Sequence, residues 1–301
     1  MIVHKTYLLR SLLCMIICAI TVHAMQKDLQ ILLTPKAWKP KNIEKLSEYL
    51  SNPALYTQLK ELRDENGNTI LHMAAQYVDR QMIQSIIDNI GNKDIAWINI
   101  KNNNGQTALV TALFSKNAFK DGAIEILLER GADPHSIDTF GNSVLSYAAA
   151  DGTPNIIELM VKKYKVDVNS SNKFSRSASP LISAILEHKR DNVKKLLELQ
   201  ADPNSMWRSK SALYIALEEI KPYTNEGIDL ACALLQHGAN PDLELTGQFH
   251  KTAREYWQRF KLEDQLEKCI PVNVGTEIEL EYKLITLSQD LHALTATLGV
   301  K

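Results

Sequence analysis

The chain has 301 residues, of which 45% are hydrophobic and 23% are charged, so it has enough apolar side chain to fold around a large core. Its formal net charge at neutral pH is -1, and basic and acidic residues are interspersed along the sequence. This pattern argues against a nucleic-acid-binding protein, which usually shows a basic stripe, and against charge-driven binding to a membrane surface.

The first 24 residues have the pattern of a secretory signal peptide. Lys5 and Arg10 precede a short apolar run at residues 12–20, and the small residue Ala24 follows at a position that suits a signal peptidase. The run is shorter than the roughly 20 residues that a membrane-spanning helix needs. We therefore expect cleavage near Ala24, export to the periplasm or the medium, and no stable membrane insertion. An uncleaved membrane anchor is the alternative.

Cleavage would remove Cys14 and Cys18 and leave Cys232 and Cys269 in the mature chain. Two cysteines do not make a disulfide scaffold, and these two lie far apart in sequence on what the pattern predicts as separate helices. We interpret them as free thiols. A single bridge in an oxidising compartment is the alternative.

Segments of the remaining chain repeat one pattern of turn, first helix, second helix and short acidic loop. The first helices follow a Thr or Ser at positions 69, 107, 143, 179, 211 and 252. The second half of the pattern recurs at residues 124–134, 193–204 and 230–241, where an apolar pair precedes an Ala-Asp-Pro or Ala-Asn-Pro loop. The spacing is irregular, so we expect insertions in loops such as residues 114–121 and 221–227.

These segments closely resemble the ankyrin repeat family. The resemblance implies an all-α solenoid of about five repeats between two caps. The boundaries that we expect are a signal peptide at 1–24, an N-terminal helical cap at 25–63, repeats at 64–100, 101–137, 138–170, 171–205 and 206–243 with a partial one at 244–257, and a C-terminal helical cap at 258–301. The resemblance also implies that His72 makes a hydrogen bond that stabilises its turn, and that partners bind the concave face.

Several positions of the repeat have a structural explanation. Glycine permits a positive φ in the turns, Thr or Ser can cap the first helix through its hydroxyl, and a second glycine can end the second helix in the left-handed conformation. The turn glycines are Gly67, Gly105 and Gly141, the capping residues are Thr69, Thr107 and Ser143, and the helix-ending glycines are Gly131 and Gly238. In the fourth repeat, Gln200 occupies the position of the helix-ending glycine. We therefore expect a left-handed glutamine or a different helix exit there.

The tail contains a seam of leucines at positions 280, 284, 287, 291, 294 and 298, spaced alternately by four and three residues. This spacing predicts a helix with one apolar face. We interpret it as a C-terminal helix that folds back over the last repeat, and self-association through a short coiled coil is the alternative.

The sequence contains no catalytic constellation, phosphate-binding loop or metal-ligand spacing, so we predict no enzymatic activity and no cofactor. We expect four residues at the repeat tips to contact a partner: Phe140, Phe174, Trp207 and Arg208. Aromatic residues and arginine are the types that contribute most to protein interfaces. Packing of the aromatic rings against their own loops is the alternative.

These features predict an exported, bacterial protein-interaction module that binds an unidentified protein ligand. Richness in Asn, Lys and Ile together with the simple signal peptide favours a bacterial source. A host-directed effector and a periplasmic or envelope scaffold are the two roles that we consider, and a small activity in the tail is a third, disfavoured one.

Overall fold

The computed structural model describes residues 51–77, 80–91, 94–115, 120–170, 177–219, 225–245 and 252–271. The chain divides into two compact units, one ending at Pro180 and the other beginning at Leu181. The signal peptide, most of the N-terminal cap, Phe174 and the leucine seam lie outside the described residues.

The first unit consists of short helices that pair into repeats. Helix α2 packs against α5, and α5 packs against both α6 and α7. The pairs α2 with α3, α5 with α6, and α7 with α8 are the first and second helices of three successive repeats. The helices are α1 Tyr56–Glu61, α2 Ile70–Tyr77, α3 Arg80–Ile86, α4 Ile95–Ile98, α5 Ala108–Leu113, α6 Lys120–Glu129, α7 Val144–Asp151 and α8 Pro154–Lys162.

The second unit continues the same pattern and adds one short hairpin. Helix α11 packs against α12 and α13, and α12 contacts α14. The elements are α9 Pro180–Leu186, α10 Arg190–Glu198, β1 Met206–Trp207, β2 Lys210–Ser211, α11 Ala212–Glu219, α12 Asn225–Gln236, α13 Ala253–Arg259 and α14 Glu263–Leu266. No helix among the described residues has both the length and the apolar character needed to cross a membrane.

The core of each unit is formed by small residues of the first helices and apolar pairs of the second helices. Ala112 and Ala148 are fully buried in the first unit, and the small side chains let neighbouring helices approach closely. Leu128 of α6 and Leu197 of α10 are each only 3% exposed. The apolar period of the sequence therefore corresponds to the buried faces of the helices.

The glycines at the repeat turns adopt the left-handed conformation. Their φ angles are +76° at Gly67, +74° at Gly105, +87° at Gly141, +94° at Gly131 and +91° at Gly238. A Cβ atom at Gly105 would lie 2.7 Å from the backbone nitrogen of Thr139, so this position also needs glycine for space. Gln200 has a φ of +68°, the left-handed glutamine that was one of the two expected outcomes.

The predicted hydroxyl cap is wrong at Thr107, one of the three residues that we expected to cap the first helix of a repeat. Thr69 Oγ1 accepts hydrogen bonds from the backbone of Leu71 and His72, whereas Thr107 makes no side-chain cap bond. Thr107 Oγ1 is buried without a hydrogen-bond partner among the described residues. The reason lies three residues further on, because Val110 occupies the place of His72 and offers no polar atom to orient the hydroxyl.

The prediction of two free thiols is also wrong, because Cys232 and Cys269 form a disulfide with a Cα–Cα distance of 5.0 Å. Cys232 lies in α12, and Cys269 ends the short 3-10 helix Glu267–Cys269 that follows α14. The burial of Trp257, Leu262 and Leu266 brings this segment against α12. Tertiary packing therefore joins two cysteines that the sequence places on separate helices.

Candidate functional site

His72 connects two repeats from a buried position. The residue is 1% exposed, and its Nδ1 atom accepts a hydrogen bond from the Thr69 backbone N–H at 3.2 Å. This assigns the ring proton to Nε2, which donates to the backbone carbonyl of Gln106 at 3.0 Å. Burial lowers the pKa of His72 from its ordinary value. The imidazole is therefore a neutral structural bridge between the first and second repeats.

Backbone hydrogen bonds link the successive repeat tips of the first unit. The N–H of Asn103 donates to the carbonyl of Asn66 at 2.9 Å. One repeat further on, the N–H of Thr139 donates to the carbonyl of Asn104 at 3.0 Å, and the Thr139 hydroxyl donates to the same oxygen at 2.8 Å. The tips therefore form a connected row, and side chains that project from it start from a fixed backbone.

Phe140 projects from the third of these tips and is 64% exposed. The carboxylate of Asp138 fixes the backbone around it, since Oδ1 accepts from the N–H of Phe140 at 2.9 Å and from the N–H of Asn142 at 2.8 Å. Asp138 is itself buried. The result is a large aromatic ring that is presented to solvent from a rigid turn.

A second aromatic feature of the first unit was not predicted. Phe114, at the C-terminal end of α5, is 38% exposed, and its ring meets that of Tyr147 edge to face, with 5.0 Å between the centroids. The Tyr147 hydroxyl donates to Asp138 and accepts from Asn142 Nδ2 at 3.3 Å. Burial, followed by the hydrogen bond to Asp138, raises the pKa of Tyr147. The first-helix face therefore offers an aromatic pair near the turn that presents Phe140.

The repeat spacing predicts that Phe114 lies in an inserted loop, whereas the structure makes it the C-cap of α5. An apolar residue directly after a run as short as Ala108–Leu113 was the signal that could have identified it. Tyr147 belongs to the repeat pattern, and nothing in that pattern indicates the partners of its side chain.

Trp207 and Arg208 belong to the second unit, where they lie on the β1–β2 hairpin. Trp207 is half-buried and Arg208 is exposed, and the Arg208 guanidinium carbon lies 4.3 Å from the centroid of the Trp207 ring. The structure therefore brings these two predicted residues together. Phe140 lies in the other unit, and Phe174 lies outside the described residues.

The described residues contain no group of three or more His, Cys, Asp or Glu side chains that could hold a metal ion. His135 and His188 lie at the surface, and His237 Nδ1 lies 2.8 Å from the carbonyl oxygen of Ala233 in the preceding helix α12. The side-chain groups available at the Phe140 tip and at the β1–β2 hairpin are therefore aromatic rings and the guanidinium group of Arg208.

Comparisons with known proteins agree with this architecture. A family model described as ankyrin repeats, in three copies, matches residues 115–207. The chain is 29% identical over 195 residues to the NF-kappa-B p105 subunit of Gallus gallus. That match covers 63% of this chain and only 19% of the p105 protein.

Solved structures extend the similarity to three dimensions. The ankyrin repeat protein EF0377 is 25% identical with a TM-score of 0.54, and the match covers 66% of this chain and 94% of that one. An ankyrin repeat domain from Acinetobacter baumannii AYE is 27% identical with a TM-score of 0.53 and the same coverage of 66% and 94%. The chain therefore contains ankyrin repeats and has the ankyrin-repeat fold.

Proposed function

We propose that the chain is an exported interaction module that binds a protein ligand through the tips and first-helix faces of its repeats. The observation that supports this most directly is the exposure of Phe140, a residue that is 64% exposed although its backbone is fixed by Asp138. Repeat arrays use such surfaces to bind partners.

The physical case rests on the entropy of binding. A residue whose backbone is already fixed loses only its side-chain rotamer freedom when a partner covers it, so its burial contributes more to affinity than burial of a residue in a mobile loop. Phe114 and Tyr147 add apolar area on the adjoining first-helix face, and Tyr147 is already fixed through its bond to Asp138. Aromatic groups of this kind are enriched among the residues that dominate protein interfaces.

Two features support export. The N-terminal 24 residues have a signal-peptide pattern, and the Cys232–Cys269 disulfide is of a kind that persists in oxidising compartments such as the periplasm or the extracellular space. N-terminal sequencing of the protein recovered outside the cytoplasm should begin at Met25. Recovery of a chain that still contains residues of the first 20 would contradict cleavage.

Within this proposal, a host-directed effector and an envelope scaffold differ in location. A mature chain found in the culture medium supports the effector role, and one that stays in the cell envelope supports the scaffold role. Self-association through residues 280–298 is a separate proposal, which sedimentation of the mature chain with and without the residues after Gly275 decides.

The partner-binding proposal is tested by affinity capture and titration with the mature chain. Phe140→Ala should weaken binding of a captured protein by about 1 to 3 kcal/mol while leaving the melting temperature nearly unchanged. Ile95→Ala is the matched control, since Ile95 is 59% exposed in the same unit but begins α4, away from the repeat tips in sequence. Equal binding by the parent chain, Phe140→Ala and Ile95→Ala would show that the interface lies elsewhere.

A further inference from the structure

The β1–β2 hairpin differs from the tips of the first unit in the residues that form its turn. Met206 pairs with Ser211 and Trp207 with Lys210, which leaves Arg208 and Ser209 as a two-residue loop. Their φ angles are +48° and +63°, so both lie in the left-handed region that a tight hairpin of this kind requires. Non-glycine residues in this conformation are strained, and such strain concentrates at functional sites.

The turn presents the Arg208 side chain in a defined way. The guanidinium lies against the Trp207 ring at 4.3 Å and Arg208 remains exposed to solvent. Stacking on a ring occupies the face of the planar guanidinium and leaves the N–H donors at its edge available. The arginine is therefore held for contact with an acceptor that approaches the edge.

The charge of this tip is not neutralised by the described part of the unit. Lys210, the other cation of the hairpin, forms an ion pair with Glu218. No described carboxylate pairs with Arg208, and residues 203–217 contain no Asp or Glu. Among the described residues, Arg208 is therefore the cation of the hairpin that forms no ion pair, and its N–H donors are arranged as a fork.

The apolar part of the tip is the Trp207 ring. Trp207 is half-buried, and the Arg208 guanidinium lies against its ring. Met206 is 45% exposed but belongs to the opposite face of the hairpin, because successive residues of a strand alternate between its two faces. The tip therefore combines a carboxylate-binding fork with the accessible part of one aromatic ring.

We propose that Trp207 and Arg208 of the hairpin bind a partner segment in which an Asp or Glu lies next to an apolar side chain. The inference rests on the proposed protein-binding function and specifies the chemistry of the ligand in the second unit. The carboxylate accepts two parallel hydrogen bonds from Arg208, and the neighbouring apolar side chain packs on the Trp207 ring. A phosphate-rich ligand fits less well, because such ligands are usually held by several cations and the described tip has one unpaired cation.

Selection of short random peptides displayed on phage against the immobilised mature chain tests this. The selected peptides should share an acidic residue beside an aliphatic or aromatic one, and as synthetic peptides they should bind Arg208→Ala about ten-fold more weakly. Arg208→Lys should restore little of this loss, because lysine keeps the charge without the planar fork. Replacing the peptide's Glu by Gln, or its Asp by Asn, should weaken binding to the parent chain but add little to the loss in Arg208→Ala.

Two further variants separate binding from folding. Lys194→Ala removes an exposed cation from α10 in the same unit and should bind the peptides as the parent chain does. Ser209→Gly should raise the melting temperature by relieving the left-handed serine and should keep the binding.

Selected peptides without an acidic residue, peptides that bind Arg208→Ala with parental affinity, or a selection that yields no binder would each overturn the inference. Displacement of the peptides by a mixed-sequence single-stranded oligonucleotide that itself binds in an Arg208-dependent way would identify a nucleic-acid ligand and overturn it as well. Capture of a protein partner that depends on Phe140 but not on Arg208 would leave the proposed function standing without this inference.

Discussion

The Nε2 atom of His72 donates a hydrogen bond to the backbone carbonyl of Gln106, 3.0 Å away in the next repeat. The opposite ring nitrogen accepts from the backbone of Thr69, so one neutral imidazole fixes its own turn and the start of the following one. Because a positive imidazolium would lose the acceptor at Nδ1, this arrangement depends on the neutral form.

We expect this bridge to make the stability of the fold pH-dependent. Burial lowers the pKa of His72 in the folded state below its unfolded value of about 6.5, so the unfolded chain takes up the proton first as the pH falls. The contribution of His72 is therefore complete above the unfolded pKa and is lost as the pH falls through the folded one, by at most about 1.4 kcal/mol per pH unit. Urea titrations at a series of pH values between neutral and mildly acidic measure this loss.

The variant His72→Asn provides the comparison. It should be less stable at neutral pH, because the bonds to Thr69 and Gln106 are lost, but its stability should fall less steeply on acidification. Parallel pH profiles for the parent chain and the variant would show that other groups cause the pH dependence.

Alanine substitutions at Gly105 and Gly238 distinguish the cost of a left-handed backbone from the cost of steric crowding. Both have a positive φ, but a Cβ at Gly105 would lie 2.7 Å from the Thr139 backbone nitrogen, whereas a Cβ at Gly238 meets no atom within 4 Å. Gly238→Ala should cost about 1 to 2 kcal/mol of stability from the left-handed conformation alone, and Gly105→Ala should cost clearly more. Denaturant titration compares them, and equal losses would mean that the Thr139 backbone moves away freely.

Leu197 of α10 tests whether the apolar pairs of the repeat form the core. The side chain is 3% exposed, so Leu197→Ala should reduce the free energy of unfolding by about 2 to 5 kcal/mol. Lys194→Ala, on the exposed side of the same helix, should change it by less than about 0.5 kcal/mol. A loss below that size for Leu197→Ala, measured in the same titration, would contradict the assigned core.

The disulfide should stabilise the second unit. It joins two residues with a sequence separation of 37, and a closed loop of about that length corresponds to about 2 to 4 kcal/mol. In a chain of residues 25–301, which contains only these two cysteines, a reductant should lower the midpoint of unfolding and expose two titratable thiols. The double variant Cys232→Ser with Cys269→Ser should be as stable as the reduced parent and unaffected by reductant. Free thiols in the untreated chain of residues 25–301 would contradict the bridge.

The sequence by itself was sufficient to predict the helical repeat and its turns. Gly67 and Gly131 adopt a positive φ because they have no Cβ, and the hydroxyl of Ser143 caps a helix that begins at the next residue. Both features depend on residues close in sequence, so a local pattern contains the information. The same holds for the left-handed Gln200, whose position at the end of α10 already restricted the backbone to two outcomes.

Only the tertiary structure decided how residues distant in sequence meet. The pairing of Cys232 with Cys269 and the ring contact between Phe114 and Tyr147 both depend on how one helix packs on the next. A repeat pattern specifies which face of each helix is apolar, but many side-chain pairs are compatible with one apolar face. The choice among them is made by packing, which the pattern of a single repeat does not encode.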